Sequence, residues 1–158
     1  MKTILVTGGA GFIGSNLVGE LLNSGYRVIA VDNFDNLYDP QFKEENVASY
    51  LSNTNFVLER VDIRDLQVMK EIFEREKPTF VAHLAARPDT RDAVRDPRLY
   101  VSINIDGTLN ILDLARDYKV ENLVVASSSS VYGNTPRLPW KETETADRPL
   151  SPYGATKR

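Results

Sequence analysis

No cysteine occurs among the 158 residues, and histidine occurs once, at His83. The first absence excludes disulfides, thiolate metal sites and a thiol nucleophile. The second removes the imidazole cluster of most metal centres, so no metal site is expected. Charge of one sign is not in excess either: 19 Lys and Arg face 22 Asp and Glu, for a formal net charge of -3. No basic field therefore points to nucleic acid or to an anionic membrane. Long hydrophobic runs are also missing. The first, Ile4-Leu5-Val6, stops at Thr7-Gly8, too short for the core of a secretory leader or for a membrane span. The chain reads as a cytoplasmic protein of one domain, since its hydrophobic share of 42% is enough for a globular core.

What is present is a regular alternation. Ile4-Leu5-Val6 reads as a buried strand closed by glycines. Phe12, Ile13, Leu17, Val18, Leu21 and Leu22 then recur at helical spacing until Asn23-Ser24-Gly25. Val28 to Val31 predicts a second strand, Gln41 to Leu51 a short helix and Phe56 to Leu58 a third strand. Leu66, Met69, Ile72 and Phe73 predict a helix that ends near Lys77, because Pro78 prevents continuation. Phe80 to Leu84 is the fourth strand. Arg87 to Asp96 is polar; Arg87, Arg91, Arg95 and Arg98 are spaced as one helical face that could meet a substrate phosphate, but the interleaved Asp89, Asp92 and Asp96 favour a solvated, ion-paired face. A long helix face follows through Tyr100, Ile103, Gly107, Ile111, Leu114 and Tyr118. Leu123 to Ala126 is the fifth strand, and Ser151-Pro152 reads as the cap and first residue of a last helix. Strands alternating with helices imply an α/β, Rossmann-type parallel sheet of order 3-2-1-4-5, with helices on both faces. Its ligand site is expected at the carboxyl ends of the strands.

The turn Thr7-Gly8-Gly9-Ala10-Gly11-Phe12-Ile13-Gly14 fits a dinucleotide fingerprint in two registers, Gly9-x-Gly11-x-x-Gly14 and Gly8-x-x-Gly11-x-x-Gly14. Either way a tight turn brings backbone close to a pyrophosphate, and the helix start offers it free N–H groups. Asp32 ends the second strand, where a carboxylate accepts from ribose hydroxyls and repels a 2′-phosphate, so NAD is expected as cofactor rather than NADP. Asp62, after the third strand, either faces the adenine or, with Asp65, caps the next helix.

Tyr153 and Lys157 stand four apart on the last helix, hence on one face. A lysine ammonium beside a tyrosine favours the phenolate, which makes the pair a candidate base. Ser128, at the end of the fifth strand, is the candidate partner for a substrate oxygen, with Ser127 and Ser129 as alternatives. Asn104 lies inside the long helix, where it is expected to open the helix locally near Lys157. His83, within an apolar strand, reads as a packed, hydrogen-bonded core residue.

Together these motifs resemble the extended short-chain dehydrogenase/reductase family, in its nucleotide-sugar epimerase/dehydratase branch, over the whole chain. They include Val31-Asp32-Asn33-Phe34, His83-Leu84-Ala85-Ala86, Asn104 with Gly107-Thr108, Ser127 to Gly133, and Ser151 to Lys157. Asp32-Asn33-Phe34 with Tyr38-Asp39-Pro40 looks most like UDP-glucuronate 4-epimerases. The resemblance implies Ser128, Tyr153 and Lys157 as catalytic residues for C4 epimerisation of a UDP-hexuronate or UDP-hexose through a 4-keto sugar. It implies a NAD cleft formed by Gly8, Gly11, Phe12, Ile13, Gly14, Asp32, Asn33, Asp62, Ile63, Leu84, Ala85, Ala86, Asn104, Tyr153 and Lys157. Dehydratases of the branch carry an Asp-Glu pair after the serine; here Ser129 and Ser130 stand there, which favours an epimerase. The family also implies a homodimer through the helix around 98–118 and the helix starting at 151. Its members continue into a carboxy-terminal substrate domain, so residues 1–158 are expected to be an incomplete NAD-binding domain with impaired turnover, or a non-catalytic module. Ile103, Ile111 and Leu114 are expected to lose cover as a result.

Overall fold

The computed structural model describes residues 1–136 and 138–158. Five parallel strands, β1 (Thr3–Thr7), β2 (Arg27–Val31), β3 (Phe56–Glu59), β4 (Phe80–His83) and β5 (Asn122–Val125), form one sheet of order β3-β2-β1-β4-β5. This is the order expected from the sequence. The alternation of side chains along β1 divides the core in two. Leu5 joins Ile29, Val31 and Val81 against Met69, Ile72 and Phe73 of α3 (Leu66–Glu76) and Ile111 and Leu114 of α6 (Gly107–Asp117). Ile4 and Val6 join Val28 and Ala30 on the other face, against Val18 of α1 (Phe12–Asn23) and Val47 of α2 (Gln41–Ala48). Helices thus cover both faces, as continuous apolar strands require.

Local chemistry sets the element ends. Asp65 accepts from the Val68 N–H and caps α3, while Lys77 adopts a left-handed φ of 45° ahead of Pro78. The polar stretch after β4 forms a short helix, α4 (Thr90–Arg95), and α5 (Pro97–Val101) begins the long helix expected around 98–118. Asp89 caps α4 by accepting from the N–H groups of Arg91 and Asp92, and Asp96 caps α5 by accepting from Leu99. Because the chain breaks at Asp96 (φ -134°), the four arginines do not share one helical face. Only Arg87 among them is ion-paired within the described residues, to Asp35 and Asp92.

α5 runs through a π-helical turn at Ser102–Asp106 directly into α6. The local opening expected at Asn104 is this turn. The predicted loss of cover is corrected: Ile103, Ile111 and Leu114 are buried, Ile111 and Leu114 in the core against the sheet and α3, and Ile103 on the wall of the cavity at the strand ends. The exposed apolar positions of this helix are Val101, Ile105, Leu109 and Leu112. At the sheet edge, Val124 and Val125 of β5 are 61% and 44% exposed. No helix among the described residues is long and apolar enough to cross a membrane.

Candidate functional site

At the carboxyl ends of the strands lies a cavity of about 430 Å³. Its first wall is the glycine turn between β1 and α1. The structure selects one of the two registers: Gly8, Gly11 and Gly14 line the cavity, whereas a Cβ on Gly9 would point away from it and lie 2.6 Å from the Ala30 Cβ of β2. Gly8 has φ +69°, and a Cβ on Gly14 would lie 2.1 Å from the Gly8 carbonyl oxygen. The turn therefore closes only without side chains there. α1 begins with no side-chain cap and no acid in its first turn, so the N–H groups of Phe12, Ile13 and Gly14 are left for an anion. A cradle that a Cβ would fill, opening on an uncapped helix start, fits a dinucleotide pyrophosphate.

The second wall follows β2 and β3. Asp32 is buried and lines the cavity. Its Oδ2 accepts from the Ala10 N–H (3.2 Å), and its Oδ1 accepts from the Phe34 N–H and from Lys43 Nζ, both at 2.9 Å. Asn33 donates through Nδ2 to Asp62 (2.9 Å). Arg64 clasps the same carboxylate from Nε and Nη2 at 2.9 and 2.7 Å. These Arg64 bonds hold the Asp62 carboxyl down at about 2. Asp62 lines the cavity with Ile63, and the cap on α3 is Asp65 alone. The two readings of Asp62 are thereby separated.

The third wall, after β4, contains Leu84, Ala85 and Ala86. Beneath it His83 is 1% exposed and bonded at both nitrogens, to Thr7 Oγ1 (2.7 Å) and to Thr108 Oγ1 (2.9 Å). Thr7 Oγ1 accepts from the Ala85 N–H and Thr108 Oγ1 donates to the Asn104 carbonyl. Thr7 must therefore donate to Nδ1, leaving the ring proton on Nε2 for Thr108. Burial, with the nearby Lys157 charge, pushes the His83 pKa down to about 4. His83 is the packed residue its sequence context suggested, not a catalytic one.

The fourth wall comes from α7 (Pro152–Thr156), with Tyr153 and Lys157 both on the cavity. Ser151 caps this short helix by accepting from the Gly154 N–H at 3.0 Å. Tyr153 packs edge-on to Tyr100 of α5, with ring centroids 6.5 Å apart, beside Ala93 of α4. Asn104 accepts from the Arg87 N–H and donates to Thr156 Oγ1 (3.0 Å). Ser127 donates to the Lys157 carbonyl (2.9 Å). Burial pushes the Lys157 ammonium below its ordinary value.

Of the residues expected at the site, the cavity gathers all but two. Asn104 stands behind the wall and holds α7 to the segment after β4. Ser128 caps the 3-10 turn Ser129–Tyr132, its Oγ accepting from the Ser130 N–H and donating to Ser130 Oγ, both at 3.2 Å. The serine on the cavity is Ser127. Two further cations line it: Lys43, which no sequence signal was read to place there, and Arg87, read as part of an ion-paired face. A lysine one turn into a helix after an acidic strand end was the available signal for the first.

The family model described as GDP-mannose 4,6 dehydratase matches residues 5–158. The chain belongs to that family. It is 44% identical to the UDP-glucuronate 4-epimerase of Thermodesulfobacterium geofontis, over 100% of this chain and 49% of that protein. The UDP-glucose 4-epimerase of Thermotoga maritima, solved with UDP-glucose, superposes with a TM-score of 0.86 at 38% identity, over 98% of this chain and 47% of that one. The Thermus thermophilus UDP-glucose 4-epimerase, solved with NAD, gives 0.85 at 39% identity over the same shares, 98% and 47%. The chain thus spans about half the length of the relatives it matches.

Proposed function

We propose that this chain binds NAD and carries the proton-transfer groups of a UDP-sugar 4-epimerase acting on a UDP-hexuronate or UDP-hexose. The observation that carries the reading is that Tyr153 and Lys157 line the same cavity as the glycine turn and Asp32. When bound, NAD supplies a hydride acceptor that later returns the hydride. The glycine turn and the α1 start would hold the pyrophosphate, and Asp32 a ribose. Tyr153 would take the proton from the sugar 4-hydroxyl and give it back, with the Lys157 ammonium stabilising the phenolate. Ser127 or Ser128 would orient the substrate oxygen, Ser128 only after leaving its bond to Ser130. Ser129 and Ser130 are poor acid/base groups near neutral pH, which supports epimerisation over dehydration. Val101, Ile105, Leu109 and Leu112 form an exposed stripe suited to a homodimer.

A second reading is NAD binding without turnover, favoured by Ser128, whose hydroxyl is engaged with Ser130 and stands off the cavity wall. One experiment separates them. The chain is incubated with NAD and UDP-glucuronate or UDP-glucose, and the C4 epimers are resolved by chromatography. Turnover that Tyr153→Phe lowers by about 10²–10⁴ supports the first reading. No turnover by a chain that binds NAD leaves only the second.

A further inference from the structure

Arg87 lies just beyond β4 and Asp35 just beyond β2, and both line the cavity. Arg87 Nη1 donates to Asp35 Oδ1 at 2.7 Å. β1 runs between those two strands. Strands two places apart in a sheet are separated by about 10 Å. An ion pair between the segments leaving them therefore bridges the crevice whose floor is the glycine turn after β1. A ligand that reaches from Asp32 on one side to Lys157 on the other runs along that floor, beneath the bridge.

The two halves of the bridge are held differently. The Arg87 backbone is fixed: its N–H donates to Asn104 Oδ1 (2.8 Å) and its carbonyl accepts from Asn104 Nδ2 (3.1 Å). Its guanidinium also has a second partner, since Nε donates to Asp92 Oδ2 at 3.1 Å. The Asp35 half is a turn. Phe34 takes a left-handed φ of 53°, which a bulky residue rarely adopts. The Asp35 N–H donates to Asn33 Oδ1 (3.0 Å), and Asp35 Oδ1 accepts from the Leu37 N–H (2.9 Å).

This asymmetry makes the bond releasable. Breaking a sheltered ion pair is costly when it strands a buried charge. Here Arg87, whose side chain is 14% exposed, stays neutralised by Asp92, and Asp35, at 30%, turns to water. The neighbouring pair of Asp32 and Lys43, at 4% and 10%, has no such outlet.

We propose that the Arg87–Asp35 ion pair is a latch over the dinucleotide crevice, which sets how fast the cofactor enters and leaves. The proposal rests on the reading of the cavity as a dinucleotide site.

The test is stopped-flow binding of NADH, followed by its own fluorescence, and its displacement by excess NAD. Asp35→Asn removes the charge but keeps an oxygen for the Leu37 N–H. It should raise the dissociation rate about tenfold, the order of one charge-assisted hydrogen bond. Association should quicken as well, so that Kd moves by less than the dissociation rate. Asp35→Glu, which keeps a carboxylate for Arg87, should restore slow exchange. An unchanged dissociation rate in Asp35→Asn overturns the latch and leaves the dinucleotide reading intact. Slower dissociation also overturns it, because Asp35 would then be competing with the cofactor for Arg87. If Asp35→Asn does not fold, an unchanged dissociation rate in Arg87→Gln overturns the latch instead. Binding of neither NADH nor NAD overturns both readings.

Discussion

The two ends of the cleft are built differently. At one end, beyond β2, Asp32 and Lys43 are buried on the ends of elements that share the main core, and each charge has a partner. At the other, Tyr153 and Lys157 ride on a helix of five residues, next to an edge strand whose valines are exposed. That helix is far too short to persist alone. It is held by a serine cap, an asparagine from the π-helical turn and one aromatic contact. The contrast teaches that one side of the cavity is built into the sheet, whereas the placement of Tyr153 and Lys157 is added by a few polar bonds.

The largest effect should come from damaging the strong end. Gly14→Ala puts a methyl against the Gly8 carbonyl. It should cost about 3 kcal/mol or more in urea unfolding and abolish NAD binding. An unchanged midpoint would mean that the turn is not as rigid as its contacts imply.

Acidification acts on both ends at once, through His83. Its folded pKa of about 4 lies below the ordinary histidine value of 6.5. The unfolded chain therefore binds the proton first as pH falls. Stability is fully present above about 6.5 and declines toward 4, by at most about 3 kcal/mol. Thermal unfolding across that range checks it, and His83→Gln should remove the slope. Asp62, held at about 2, adds a loss only below its usual range near 3.8.

A smaller change should sharpen the contrast. Ser151→Ala removes the cap of α7 and should cost about 1 kcal/mol locally. Hydrogen exchange at 152–156 should speed up while NAD affinity is nearly unchanged. A matching loss of NAD affinity would show that the two ends are coupled. Smallest of all for stability is Leu109→Lys on the exposed stripe, within about 0.5 kcal/mol. If the stripe is a dimer interface, sedimentation should show a monomer.

The fold was legible because period and punctuation agreed along the chain. Gly8 to Gly14, Pro78 and Ser151-Pro152 each ended or began an element where expected. Three walls of the cavity followed, since each lies just beyond a strand; the fourth followed from the Ser-Pro start of α7. The hidden parts were those set by side-chain competition. The bounds of α4 were hidden because Asp89 and Asp96 read as surface charge but act as caps. Ser128 and Ser127 could not be told apart within four serines; only the 3-10 turn shows that the first is engaged with Ser130. Lys43 was missed because a lysine on a weakly amphipathic helix reads as solvated, and only the fold brings it to Asp32.

The bonds through His83 have a direction. They start on a backbone donor at Ala85 and end on a backbone acceptor at Asn104, so no hydroxyl in between can turn round without breaking the series. The peptide planes at the two termini thus dictate where a proton sits in the middle of the molecule. A residue that never touches the cavity fixes one wall against another like a keyed joint, and any change that flips either peptide must be felt at the far side.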